Sequence, residues 1–143
     1  MKVARVESRE SSEVVKSYRD LLVWQKSMDL LVDVYEAIAK FPADERYGLS
    51  IQIKRAAVSI PSNIAEGSSR RGTKEFLRYI NIPTDSLAEL ETQLMAAKRL
   101  KFLSAEIEAK LLKQTDEISR MLQGLYNSLE AKLTRLSILD SNH

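Results

Sequence analysis

The sequence predicts an all-α protein, an antiparallel up-down four-helix bundle. Three observations support this fold class. Only 4 Gly and 3 Pro interrupt 143 residues, and this scarcity favours long helices. Apolar residues recur every three or four positions through four long stretches, the spacing of one helical face. The stretches are joined by short connections, and none alternates as a strand does, so a helical bundle is the natural architecture.

The first predicted helix spans about 20–40 and has an unusually wide apolar face. Its main stripe comprises Leu21, Trp24, Met28, Leu31, Tyr35 and Ile38. A second stripe beside it comprises Val23, Leu30, Val34, Ala37 and Phe41. A bundle helix needs only one buried stripe. The extra width therefore predicts either an interface between copies or a surface for another partner, and Pro42 ends the helix.

The second predicted helix spans about 45–66. Pro61 should kink it or force a local break, because proline lacks the amide hydrogen that the turn uses. Gly67 is expected to end the helix, since glycine is the preferred residue just past a helix C-terminus.

The third predicted helix spans about 73–101, with Thr73 as its N-cap. Pro83 falls on its apolar stripe, and residues 86–89 match a capping box, so the helix either kinks at Pro83 or restarts at 84–86. The stripe stays in phase across the proline and favours one kinked helix. The fourth predicted helix runs from its cap Ser104 to about 131.

The predicted domain organisation is a flexible N-terminal tail at 1–17, the bundle at 18–133 and a C-terminal tail at 134–143. The final Leu-containing stretch either extends the fourth helix or packs on a neighbouring subunit. The absence of cysteine excludes disulfides and a Cys nucleophile. No run of about 18 apolar residues occurs, so the sequence predicts a cytoplasmic protein.

The segment EGSSRRGTKEF, residues 66–76, has the glycine spacing of a nucleotide-binding loop. That motif requires Lys-Ser or Lys-Thr after the second glycine and a preceding strand, and here Thr-Lys follows a helix. We therefore exclude nucleotide hydrolysis. Four cations nevertheless gather near the start of the third helix, where amide groups and the helix dipole favour anions: Arg70, Arg71, Lys74 and Arg78.

These cations are either a phosphate-backbone contact or a solvated basic corner. A second basic group, Lys98, Arg99 and Lys101, lies about 40 Å farther along the same helix. The two groups are too far apart to hold one short ligand on one subunit. In an oligomer, they would form two separate basic rings. The net charge of +2 is too small to indicate, by itself, that the protein binds nucleic acid.

A polar stripe on the second helix, with few charges, predicts a buried or interfacial hydrogen-bond network. It comprises Gln52, Arg55, Ser59, Ser62 and Glu66, with Asn63 adjacent. The alternative is an active site of Arg55, Asn63 and Glu66, or a metal site with Glu66, Glu89 and Glu91. Carboxylate-bridged metal sites in bundles use Glu-x-x-His pairs, whereas the only histidine is His143. We therefore predict no catalytic residue, no metal and no cofactor.

Three stretches together resemble one known family: RDLLVWQKSMDLLVDVY at 19–35, the long run at 41–80 and SLAELETQL at 86–94. The run QIKRAAVSIPSNIAEG at 52–67 is the most specific part. The resemblance is to the four-helix bundle proteins encoded in intervening sequences of bacterial large-subunit rRNA genes, and it covers about 19–130. It implies an up-down bundle assembled into a ring, a homopentamer. Its polar signature falls on Gln52, Arg55, Ser59, Asn63, Glu66 and Glu89.

The resemblance also implies two functions for a non-enzymatic bundle. The genomic setting suggests RNA association. The fold is similar to the accessory variability determinant of diversity-generating retroelements, a basic pentamer that partners a reverse transcriptase. The first hypothesis is therefore an oligomer that binds RNA or DNA backbone through its basic corners. The alternative is a protein-interaction scaffold or accessory subunit of a nucleic-acid enzyme. IPTD at 82–85 departs from the small residues common in the family, which puts a straight third helix in doubt.

Overall fold

The described residues, 17–45 and 47–141, fold into four α-helices in a computed structural model. They are α1 (Leu22–Ile38), α2 (Leu49–Ser69), α3 (Thr73–Arg99) and α4 (Ala105–Ser141). Short 3-10 turns at Tyr18–Asp20 and Ala43–Glu45 precede α1 and α2, and this part of the chain contains no strand. The predicted all-α class with four helices is confirmed.

Each helix packs on the next in chain order, and α4 returns to pack on α1. Cross-helix pairs show opposite directions. Lys26 near the start of α1 pairs with Glu117 at 3.2 Å, whereas Asp33 farther along α1 accepts from Gln114, earlier in α4, at 2.9 Å. These two contacts show that α1 and α4 run antiparallel, as expected for an up-down bundle with short connections. None of the described helices has the length and apolar character needed to cross a membrane.

The core side of α1 is the second of the two predicted stripes, together with Leu21 and Ile38 from the ends of the first. Leu30 and Val34 are fully buried, whereas Met28 and Leu31 of the main stripe are half-buried and Tyr35 is 41% exposed. Ser27 accounts for part of this difference, because it is a polar residue on the buried side. Its hydroxyl donates to the carbonyl of Val23 at 2.7 Å, which satisfies the buried group within its own helix.

Both internal prolines are buried inside continuous helices. The break considered at Pro61 and the restart at 84–86 are therefore wrong, and α3 is one helix. Each proline lacks the N–H that would donate to the carbonyl four residues earlier, which is Ala57 O for Pro61 and Tyr79 O for Pro83. Burial of the two rings in the core offsets part of the cost.

The connection between α2 and α3 differs from its prediction at both ends. α2 continues past Gly67 to Ser69, so Gly67 does not end the helix. Gly72 holds the position before α3 with φ 93°, and Thr73 is the first helical residue, not the cap. A positive φ is a conformation that glycine adopts without steric cost. At the other end of the bundle, Ser104 Oγ accepts from Ile107 N at 3.1 Å, which confirms Ser104 as the cap of α4.

The fourth helix extends well beyond the bundle. It has 37 residues, compared with 17 to 27 for the other three. Residues 130–141, hereafter the α4 extension, are almost all exposed. The extension adds about 18 Å of helix. It includes most of the segment predicted as a C-terminal tail, which is helical through Ser141. The first 16 residues, Arg46 and the last two, including His143, lie outside the described residues.

Candidate nucleic-acid interface

Of the four cations at the connection between α2 and α3, Arg70 makes the most side-chain contacts. Its guanidinium donates to Glu66 Oε1 at 3.0 Å and to the Tyr79 hydroxyl, and it lies 4.8 Å from the centroid of the Tyr79 ring. These contacts bridge the end of α2 and the first turns of α3. Arg70 therefore contributes mainly to the joint between the two helices, although its side chain remains half-exposed.

The other three cations divide into one paired and two unpaired side chains. Arg78 lies 3.2 Å from Glu75, one turn earlier on α3. Arg71 precedes the helix, so it does not share a helical face with Lys74 and Arg78. Arg71 and Lys74 are exposed and form no ion pair within the described residues. They are the two cations available to an anion at the N-terminus of α3, where the helix dipole adds attraction.

The second basic group lies at the opposite end of α3. Lys98, Arg99 and Lys101 are all exposed, and none pairs with an acidic side chain in the described part of the chain. Cations at a helix C-terminus also compensate the negative end of its dipole, so this group has a structural role as well. Lys101 has φ 67° and ends α3 in a Schellman motif, with Phe102 N donating to Ala97 O at 2.9 Å.

The polar signature separates into a half-buried network and an exposed part. Ser86 Oγ donates to Ser59 Oγ at 2.9 Å, and Asn63 Nδ2 donates to the same oxygen at 3.0 Å. Ser86 therefore joins α3 to α2 and does not cap a new helix, which corrects the interpretation of residues 86–89 as a capping box. The network links the two helices at mid-height.

The remaining signature residues are exposed: Gln52, Arg55, Glu66 and Glu89. Glu89 accepts from Gln93 Nε2 at 3.2 Å, while the buried Gln93 Oε1 has no hydrogen-bond partner among the described residues. In the part of the chain that the structure describes, no three acidic or histidine side chains gather as metal ligands. A cleft between α3 and α4, beside Ile80 and Tyr126, holds about 150 Å³. This cleft is smaller than typical small-molecule sites, which measure roughly 300–1,000 Å³.

Sequence reasoning missed the partners that restrain the basic corner. Glu66 stands four residues before Arg70, and Glu75 three before Arg78, so helical pair spacing would have found both. Tyr79 is nine residues from Arg70, and only the packing of α3 on α2 brings them together. No spacing rule in the sequence indicates that contact.

Four amphipathic helices packed in chain order, with cations at both ends of the third, define a small helical-bundle protein. Residues 19–124 match the family of 23S rRNA-intervening sequence proteins, and the chain belongs to that family. The predicted family is confirmed. The similarity to the retroelement accessory protein stays a prediction. A search of curated proteins found no match.

Among the solved structures that are similar to this chain is one that covers most of the bundle. It is the crystal structure of a protein of unknown function from the S23 ribosomal protein family of Bacteroides thetaiotaomicron. The TM-score is 0.66 at 23% sequence identity, covering 73% of this chain and 97% of that protein. At this identity the similarity supports the fold alone.

Proposed function

We propose that this protein is a non-enzymatic homo-oligomer that binds the phosphate backbone of RNA or DNA. The observation that carries the proposal is the pair of unpaired, exposed cations, Arg71 and Lys74, at the N-terminus of α3. Phosphate contacts of this kind give salt-dependent binding with little sequence preference. Membership of a family named for sequences that interrupt 23S rRNA is consistent with an RNA partner.

Assembly is the second part of the proposal. One subunit offers only two unpaired cations at this corner, and its net charge is +2. A ring, a homopentamer by the family resemblance, repeats the corner and concentrates the positive field on one face. Lys98, Arg99 and Lys101 would form a second ring at the other end of α3. The alternative is a scaffold or accessory subunit for a nucleic-acid enzyme, with the exposed apolar residues of α1 and α4 as its contact surface.

A salt-titrated shift assay tests the proposal. The probe is a labelled single-stranded RNA of mixed sequence, compared with a duplex of the same length. We expect the logarithm of the binding constant to fall linearly with the logarithm of salt concentration. Arg71→Gln with Lys74→Gln should weaken binding and reduce the slope by about 0.7 for each phosphate that the variant no longer neutralises.

The matched control removes the same charge elsewhere. Lys40→Gln with Lys113→Gln neutralises two exposed lysines, one after α1 and one on α4, that form no ion pair within the described residues. Equal binding by the wild type and the Arg71/Lys74 variant would refute the assignment of the corner. Equal weakening by both variants would show a response to net charge only, and would also count against a specific contact.

A further inference from the structure

The α4 extension carries an apolar stripe that none of the other described residues covers. Leu122, Leu125 and Leu129 line the bundle side of α4, and Leu133, Leu136 and Leu139 continue the same spacing beyond the bundle. Leu136 is 44% exposed and Leu139 is 56% exposed. The side of α4 that is buried inside the bundle therefore continues, in phase, past the ends of α1, α2 and α3.

A second uncovered apolar surface lies on the outer side of α1. An open groove of about 490 Å³ is lined by Leu31, Val32, Tyr35, Glu36 and Ala39. We name its apolar members, Leu31, Val32, Tyr35 and Ala39, the α1 strip. Val32 is 54% exposed and Tyr35 is 41% exposed. Exposed apolar residues that adjoin one another in this way are typical of a protein contact surface.

The extension cannot fold back on the strip of its own chain. Asp33, within the strip region, contacts Gln114. The rise along the straight course of α4 from Gln114 to Leu136 is about 33 Å. The two surfaces therefore lie at different heights on one molecule, and only another molecule can bring them together.

Charges beside the two surfaces are complementary. Lys132 and Arg135 flank one side of the extension and Asp140 lies near its end. Glu36 flanks the strip on one side, and Lys54 lies on the other, 5.2 Å from the centroid of the Tyr35 ring. None of these five charged groups forms an ion pair with a described residue. Lys132 and Arg135 of one copy could thus pair with Glu36 of another, and Asp140 could pair with Lys54.

We propose that the α4 extension of one copy docks on the α1 strip of a second copy. This inference rests on the self-assembly in the proposed function and names the two surfaces that make it. Pairing between two extensions would leave the strip uncovered in every copy. A contact between two different surfaces covers both, and it repeats from copy to copy until the assembly closes.

The test compares masses in solution by light scattering after size-exclusion chromatography. One variant carries Leu136→Glu and Leu139→Glu in the extension, and another carries Val32→Glu in the strip. We expect both to be monomeric, with association at least about 100-fold weaker than in the wild type, because each buried leucine contributes a factor of ten or more. Met95→Glu is the control. Met95 is 43% exposed on α3, close to the exposure of Leu136, and should leave the mass unchanged.

Mixing the two monomeric variants gives the decisive measurement. The strip variant retains a functional extension, and the extension variant retains a functional strip. We expect them to form a 1:1 heterodimer through the one intact contact. A mixture that stays monomeric, or a variant that keeps the mass of the wild type, overturns the inference. A wild type that is itself monomeric refutes the proposed assembly as a whole, so the two failures are distinguishable.

Discussion

Gly67 lies so close to Tyr79 that a Cβ atom at position 67 would stand 2.5 Å from the Cβ of Tyr79. Real atoms do not approach this closely, so glycine is what allows α2 and α3 to meet here. The same approach brings the Tyr79 ring beside the Arg70 guanidinium. One small residue therefore sets both the packing at this end of the bundle and the position of the basic corner.

The first prediction concerns that approach. Gly67→Ala should lower the free energy of unfolding by about 1–3 kcal/mol, because the added methyl forces the helices apart. Urea unfolding followed by circular dichroism measures it. The control is Gly124→Ala, an exposed helical position with no atom within 4 Å of the added Cβ. There the better helix propensity of alanine should stabilise by up to about 1 kcal/mol. Stabilisation by both changes would contradict the close approach.

The second prediction concerns the hydrogen bond between Ser59 and Ser86. Removing either hydroxyl should cost about 1 kcal/mol relative to Ser62→Ala, an exposed serine on the same helix. The double variant should cost less than the sum of the two single changes, since each single change already removes the Ser59–Ser86 bond. The coupling is read from a double-mutant cycle in urea unfolding. Strict additivity would show that the bond contributes nothing to stability.

The third prediction concerns the positive φ of Lys101. Lys101→Gly should stabilise the protein by about 1 kcal/mol, because glycine adopts φ 67° without the steric cost that a Cβ imposes. Thermal unfolding measures the change. Lys98→Gly, in the last regular turn of α3, removes the same charge and should destabilise by about 1 kcal/mol. A shift of the same sign in both variants would indicate an effect of charge, not of backbone conformation.

The fourth prediction concerns Arg78, a cation that an ion pair with Glu75 restrains. Glu75→Gln frees Arg78 at the proposed nucleic-acid corner and should tighten RNA binding, with the salt slope steeper by about 0.7. Glu117→Gln frees Lys26 on the side of the bundle and is the matched control. Both pairs measure 3.2 Å, and the two glutamates are 45% and 46% exposed. Stability should change little in either case, since exposed ion pairs contribute at most about 1 kcal/mol.

Identical gains in RNA affinity from the two glutamate variants would contradict the assignment of the corner as the binding site. Binding would then follow the total charge of the protein, wherever the charge lies. A gain restricted to Glu75→Gln supports a contact at the N-terminus of α3. The anisotropy of a labelled RNA, titrated at several salt concentrations, separates these results.

Local patterns predicted the elements well and their ends less well. The apolar spacing identified all four helices, and Ser104 was a correct cap because its hydroxyl acts within one turn. Gly67 was misassigned because a glycine near a predicted helix end has two explanations, a stop or a close approach. Choosing between them requires the position of Tyr79 on another helix. The sequence correctly favoured one helix through Pro83, because the apolar stripe stays in phase there. It could not show that both prolines are buried among neighbouring helices, which offsets part of the cost of a missing backbone bond.

For the candidate site, the sequence predicted where the cations lie better than it predicted which of them are already paired. The sequence placed four cations near the start of α3, and the structure finds two of them paired with carboxylates within four residues. Those pairings follow from helical spacing and could have been predicted from the sequence. The bond from Arg70 to Tyr79 could not be predicted, because it depends on how two helices meet.

By itself, the sequence determined the number of helices, their order and the family, because periodicity and local motifs act over a few residues. The tertiary structure decided which stripe of α1 faces the core and which cations are already paired. It also decided that α4 continues as an uncovered helix. Each of these depends on what lies opposite a residue in space, and burial is a property of the packed bundle. The exposed stripes of α1 and α4 could be identified only from the packed structure, because only there is it clear which apolar residues form the core.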